Sequence, residues 1–405
     1  MTANPIVLGD FASFNIAILV YFAGVRLNRD IAVLNRYNIP EPVSGGLLVA
    51  LGVLALYLLG YGEVTFSLAA RDFLLLYFFT SIGLNARLAD LLRGGAPLLI
   101  LLALTIGYMC LQNGVGVAVA TAFGLPAAYG LIGGTVSLIG GHGTAIAWGP
   151  TFADSYGVAG AVELGAATAT LGLIAASVLG GPVAQYLIKA KGATRDPDSD
   201  AVIPTIGLKR EEEASASVTH TGLMRAILVL NLTIALGVAL KEALDTTGVD
   251  LPLFVVCLFC GILLSNTVPV FLKLPKWPAR TRSLAVISDL ALGVFLSMSL
   301  MSLQLWTIAG LAGPMLVVLA LQVVLAGAFI VFVLFPLMGR DYEAAVLGAG
   351  YAGFALGATP TAIANMTAVT KHYGAATKAF LILPLVSAFF VDLANALIIR
   401  LFLSF

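Results

Sequence analysis

The chain has 405 residues, 60% of them hydrophobic and only 10% charged, where a soluble domain carries about 25% charged residues. Basic and acidic residues balance at 21 each, so there is no cationic excess to attract nucleic acid. This composition excludes an ordinary soluble globular protein and makes the chain an integral membrane protein with most of its mass in lipid.

A membrane-crossing helix needs about 20 mostly apolar residues. In chain order, ten segments qualify: 6–25, 40–60, 70–88, 96–121, 157–188, 222–243, 250–271, 282–304, 310–336 and 376–403. The first has no basic residue before it and no small-x-small cleavage site after it, while Arg26, Arg29 and Arg36 follow it. It is therefore expected to be a retained span with its N-terminus outside. Glu41, between Pro40 and Pro42, opens the second span as a helix start. Asp72 and Asp289 lie near span ends and are expected to be structural. Cys257 and Cys260 form a C-x-x-C inside the seventh span. A redox or metal pair needs a polarised, accessible thiolate, so two small residues on a lipid-embedded helix is the expected reading.

Segments 126–153 and 342–370 are apolar but too rich in glycine and too interrupted for ordinary crossings. Each is read as a re-entrant helical hairpin. With the N-terminus outside and ten alternating spans, 18 basic residues fall on the inside and only Arg71, Lys241 and Arg400 fall outside. The positive-inside rule favours this arrangement, with both termini outside. A full crossing at either hairpin would put the basic residues that follow it on the wrong side.

An internal repeat is visible at an offset of 217 residues. Asp72 falls on Asp289, APLLILLAL (96–104) on GPMLVVLAL (313–321), TAIA (144–147) on TAIA (361–364), and Tyr156-Gly157 on Tyr373-Gly374. Each half holds an odd number of spans, so the halves have opposite orientation, as in many secondary transporters. The fold class is thus an all-α integral membrane protein. Its ten transmembrane helices form two inverted five-helix repeats, each with a re-entrant hairpin. The repeats are 1–189 and 222–405, joined by a polar cytoplasmic tether at 190–221.

Backbone polar groups at membrane depth must be paired or must line a cavity. The tip of the first hairpin is Gly140-Gly141-His142-Gly143-Thr144, and the following helix is expected to start near Thr144. The second tip is Gly357-Ala358-Thr359-Pro360-Thr361, with Asn365 four residues beyond Thr361 on the same face. Glycine lets a ligand approach the main chain, proline suits a first helical turn, and a helix N-terminus attracts anions. If the tips meet near the midplane, two helix N-termini converge, which suits a substrate with two carboxylates. For a hard cation such as sodium, oxygen ligands are preferred. The candidates are Glu163, with Thr168 and Thr170 beyond it, and Asp392 with Asn395 at i+3. Buried structural hydrogen bonds are the alternative for both carboxylates. His142 could relay protons or hydrogen-bond substrate or backbone, and the second is favoured.

Two motifs carry no function. Gly348-Ala349-Gly350-Tyr351-Ala352-Gly353 matches G-x-G-x-x-G but lacks the strand–turn–helix setting of a dinucleotide site. Ser137 and His142 could suggest a protease pair, but they lie five residues apart around a glycine turn and no H-E-x-x-H is present. No enzyme activity and no organic cofactor are expected.

IPEPVSGGLL (39–48), TSIGLNA (80–86), GGHGT (140–144), LGGPVA (179–184) and GATPTAIANM (357–366), in this order, resemble the bacterial sodium–glutamate symporter family. The resemblance covers nearly the whole chain and is weakest in the central tether. It implies sodium-coupled uptake of L-glutamate across a bacterial inner membrane. It also implies a homodimer in the lipid bilayer whose transport domains carry the hairpins against a scaffold, an elevator-like alternating access. The family's hairpin residues carry over to Gly140, Gly141, His142, Gly143, Thr144, Thr359, Pro360, Thr361 and Asn365. Glu163, Asp392 and Asn395 as sodium ligands rest on chemistry alone. Glutamate carries net −1, so at least two sodium ions are expected for the membrane potential to drive import. The competing readings are a symporter for another small carboxylate, a proton-driven carrier, and a channel.

Overall fold

The computed structural model describes residues 6–36, 39–86, 95–190, 218–246, 251–271, 277–279 and 281–404. In chain order the elements begin with β1 (Ile6–Leu8), α1 (Asp10–Asp30), α2 (Ala32–Arg36), α3 (Glu41–Leu58), β2 (Val64–Phe66), α4 (Ala69–Asn85) and α5 (Gly95–Ala122). Next come α6 (Ala127–Leu131), which runs on as a π segment (Ile132–Val136), then α7 (Gly141–Tyr156), α8 (Ala161–Ala190), α9 (His220–Asp245), α10 (Leu253–Phe271) and α11 (Arg282–Met301). The chain ends with α12 (Ala312–Phe329, prolonged to Leu337), α13 (Tyr342–Leu356), α14 (Thr359–Tyr373), α15 (Thr377–Leu385), a π segment (Val386–Phe390) and α16 (Val391–Leu403).

Among the described residues, seven helices are long and apolar enough to cross a membrane: Asp10–Asp30, Glu41–Leu58, Gly95–Ala122, Ala161–Lys189, His220–Asp245, Arg282–Met301 and Ala312–Leu337. The other three expected spans are helical but shorter or interrupted: α4, α10, and α15–α16 with its π segment. Large apolar side chains stay exposed on the span faces, among them Phe22, Leu51, Leu228, Leu263 and Val324. Such surfaces suit contact with lipid rather than water. At the 217-residue offset, α5 falls on α12, α7 on α14 and α8 on α15–α16. Residues 191–217, most of the expected tether, lie outside the described residues.

The chain forms two compact units, and each draws on both halves of the sequence. The first comprises Met1–Asn35, Ile39–Arg87 and Glu212–Ala309. Its helix starts follow local chemistry. Thr219 accepts from Gly222 N (3.1 Å) at α9, and Thr281 accepts from Leu284 N (3.3 Å) at α11, each satisfying an amide that the first helical turn leaves open. Glu41 and Pro42 open α3 as expected. Arg71 pairs with Asp72 at the exposed start of α4.

Small residues allow the helices of this unit to press together, the usual packing route in lipid. Gly45 of α3 faces Val20 of α1, where an added Cβ would lie 2.0 Å from the Val20 carbonyl oxygen. Polar side chains then bridge the helices: Ser44 Oγ donates to Asn28 Oδ1 (2.6 Å) and Tyr77 OH to Asn231 Oδ1 (2.6 Å). Cys257 and Cys260 are buried free thiols. Cys257 packs against Gly237 of α9, which accounts for its small size.

The second unit comprises Arg36–Asn38, Leu88–Glu211 and Gly310–Phe405. Both glycine-rich segments lie in it, each as two helices around a break: α6 with its π segment and α7, and α13 with α14. Helix α8 runs along both. Its Gly165 meets Ala145, its Gly172 meets the Leu356 carbonyl, and its Gly180 meets Asn365 and Ala349. These glycines recur at seven and eight residues, so they share one face of α8. The G-x-G-x-x-G run lies wholly within buried α13, where Gly353 touches the Thr361–Ala362 backbone of α14. Close helix packing explains it.

Candidate functional site

The two breaks come together in the second unit. A Cβ built on Gly141 would lie 3.7 Å from the Gly357 carbonyl oxygen. At the first break, the π segment gives way at Gly134, whose backbone is non-helical (φ −106°, ψ −130°). The chain turns through 137–140 and re-enters helix at Gly141. The expected start near Thr144 is thus too late by almost one turn. Gly141 adopts φ +64°, which only glycine takes readily, so the helix begins there. His142, Gly143 and Thr144 sit in its first turn rather than in the loop. The opening amides of a helix have no partner within it, and here they belong to 141–143, while the Thr144 amide donates to Gly140 O (3.4 Å).

At the second break, α13 ends at Leu356 and α14 begins at Thr359, capped by Ala358. Pro360 lies in the first turn, as proline's missing N–H allows. Thr359 Oγ1 donates to Ser387 Oγ (3.1 Å), within the π segment before α16. Thr361 is fully buried, and its hydroxyl has no hydrogen-bond partner within the protein.

His142 is buried and its Nε2 lies 2.9 Å from Thr170 Oγ1. Thr170 gives its one hydroxyl proton to Ala166 O (2.8 Å). It must therefore accept from His142, so Nε2 carries a proton. The imidazole is anchored to α8 and not to Ser137, whose hydroxyl has no partner within the protein. Asn365 Nδ2 donates to Ala176 O (3.0 Å) and Ala349 O (3.2 Å), so the amide nitrogen ties α14 to α8 and α13. Replacing Asn365 with Leu is expected to cost roughly 1–3 kcal/mol of stability. A fall in melting temperature would check it.

The sodium candidates are distributed. Asn395 Nδ2 donates to Thr135 O (3.1 Å), which places α16 against the first break. Asp392 lies one turn earlier on the same helix and is half-buried. Glu163 sits in the first turn of α8, where a carboxylate also suits the helix dipole. Thr168 is buried with its hydroxyl unpartnered. Among the described residues, no three or more His, Cys, Asp or Glu side chains gather as a metal cluster, so any cation here needs neutral oxygens as well.

Sequence reasoning missed the amides that frame the first break. Gln322 Nε2 donates to Gln112 O (2.8 Å) and Gly133 O (3.4 Å). Gln112 Nε2 donates to Ala355 O (2.9 Å), and Asn113 Oδ1 accepts from Thr135 N (2.9 Å). The available signal was the presence of these amides in the middle of apolar spans, where a polar side chain without a partner is costly.

The family model described as sodium/glutamate symporter matches residues 6–375. The sodium/glutamate symporter of Escherichia coli (strain K12) is 40% identical over 396 residues, 98% of this chain and 98% of that one. That of Haemophilus influenzae is 40% identical over 390 residues, 96% of each chain. With its helical breaks, apolar spans and this likeness from end to end, the chain belongs to the sodium/glutamate symporter family of membrane transporters.

Proposed function

We propose that this protein is a sodium-coupled secondary carrier that imports L-glutamate. Family membership supplies the substrate and the ion. The observation that carries the site is the meeting of Gly141 with Gly357 at two helix breaks inside one compact unit. One carboxylate of glutamate takes the open amides at Gly141, His142 and Gly143 and the side chain of Thr144, with Gly140 beside them. The other takes the start of α14 at Thr359, Pro360 and Thr361. Anions are favoured at both positions by the helix dipoles. Asn365 holds α14 in place from behind. Glu163, Asp392 and Asn395 serve sodium, and two or more ions accompany each glutamate.

In this reading the chain crosses a bacterial inner membrane ten times, with both termini periplasmic and the two broken segments as re-entrant hairpins of inverted repeats. The second unit holds the whole candidate site and acts as the moving carrier. The first unit serves as scaffold and dimer contact, giving an elevator-like alternating access.

The test is uptake of labelled L-glutamate into proteoliposomes under an inward sodium gradient, with potassium and choline controls at matched voltage. Accumulation above the external concentration that requires sodium is the expected result. Accumulation driven equally by protons, or preference for a hydroxycarboxylate, would replace the reading, and equilibration without accumulation would make the protein a channel. Asp392→Asn is expected to raise the half-saturating sodium concentration by about 10-fold or more. An unchanged sodium titration would remove Asp392 from the site.

A further inference from the structure

Around the first break, several buried polar atoms have no hydrogen-bond partner within the protein. They are Thr135 Oγ1, Gln322 Oε1 and Asn395 Oδ1, with Asn113 Nδ2 beside them. All four residues are at most 1% exposed. Native proteins pair nearly all such groups, so a cluster of exceptions calls for a water or an ion.

The amide orientations are settled by backbone partners. Gln322 Nε2 is bound to two carbonyl oxygens, and Asn395 Nδ2 is bound to the Thr135 carbonyl. A carbonyl only accepts, so each of these side chains must offer nitrogen there and leave its oxygen open. Asn113 is fixed the other way, because its Oδ1 accepts from the Thr135 amide. Two side-chain oxygens, on α12 and α16, are thus carried by amides bonded to the backbone of residues 133 and 135, and Thr135 Oγ1 lies on that backbone itself. The backbone there is already irregular, with the π segment and non-helical Gly134. Irregular backbone at membrane depth persists where it is buried in protein or lines a cavity.

We infer that Thr135 Oγ1, Gln322 Oε1 and Asn395 Oδ1 form an alkali-cation site at the first break. It rests on the sodium-symport reading and adds Thr135 and Gln322 to the ion's ligands. The chemistry favours a hard monovalent cation. Amide and hydroxyl oxygens suit sodium, whereas divalent ions are held by carboxylates, and these three ligands bring none. Asn113 Nδ2 supplies a donor for a water completing the ion's shell. The ion would knit α12, α16 and the first break together, so sodium binding would shape the tip that meets the second break.

Thr135→Val tests this with little change of shape. It removes only the hydroxyl and keeps the backbone bonds to Asn113 and Asn395, and Thr135→Ser restores the oxygen. Two sodium titrations are made on the full chain with choline as the replacement ion. One follows the melting temperature of purified protein, and the other follows glutamate uptake in proteoliposomes. The half-saturating sodium concentration is expected to rise about 10-fold or more in Thr135→Val and to stay near the parent value in Thr135→Ser. If Thr135→Val fails to assemble, Thr135→Ala removes the same hydroxyl without the second methyl and is expected to show the same rise. Sodium-driven uptake in the parent with titrations unmoved in the variants overturns this site alone and leaves water as the partner of these atoms. Absence of any sodium dependence in the parent overturns both the site and the symport reading.

Discussion

Gly141→Val is expected to cut sodium-driven glutamate uptake on the order of 100-fold while leaving the protein folded. Gly141 holds φ +64° at the start of α7. A β-branched residue is a genuine outlier there, and the strain acts on the amides assigned to the substrate. A bare Cβ meets the Gly357 oxygen only at 3.7 Å, an ordinary contact. The γ-methyls of valine would project further, into the space between the two breaks. Gly141→Ala therefore separates the causes: it adds the backbone strain without the bulk, and about a tenfold loss is expected from strain of about 1–2 kcal/mol. Both variants should melt within a few degrees of the parent. Normal uptake by Gly141→Val would remove this break from the binding site.

Glutamate import is expected to respond steeply to voltage. Glutamate carries net −1, so one sodium ion would make a neutral cargo and two would move net +1 inward. A single charge crossing 100 mV is worth about 2.3 kcal/mol, which raises the attainable accumulation about 50-fold. Proteoliposomes with a fixed sodium gradient, clamped at zero or at an inside-negative potential by potassium and valinomycin, make the measurement. Accumulation that ignores the potential would reduce the coupling to one sodium ion. It would also leave no need for a second cation position beside the one proposed at the neutral oxygens of the first break.

Much of this was legible before any coordinates. Among the described residues, seven helices reach membrane-crossing length in the segments that hydropathy selects, because a run of apolar residues in lipid has few ways to satisfy its backbone other than by helix. The breaks were legible for the converse reason: GGHGT and GATPT place glycine, threonine and proline where an uninterrupted span would carry leucine. Pro360 lies in the first turn of its helix as its chemistry requires. The start of α7 was misplaced by three residues, because a local reading gives Gly140, Gly141 and Gly143 equal freedom and does not say which one takes the positive φ.

The sequence by itself determined the membrane class, the positions of the helices and breaks, the 217-residue correspondence and, through its motifs, the family. These follow from local composition and spacing, which each segment carries alone. Only the tertiary structure decided which side chains face one another. It brought Gly141 to Gly357, tied His142 to Thr170, turned the Asn365 amide nitrogen to backbone carbonyls, and set Gln322 and Asn395 on the break at Thr135. The compact units cut across the sequence halves for the same reason. The amides of Gln322, Asn365 and Asn395 find their partners on other elements, and which element that is depends on packing rather than on neighbours in the chain.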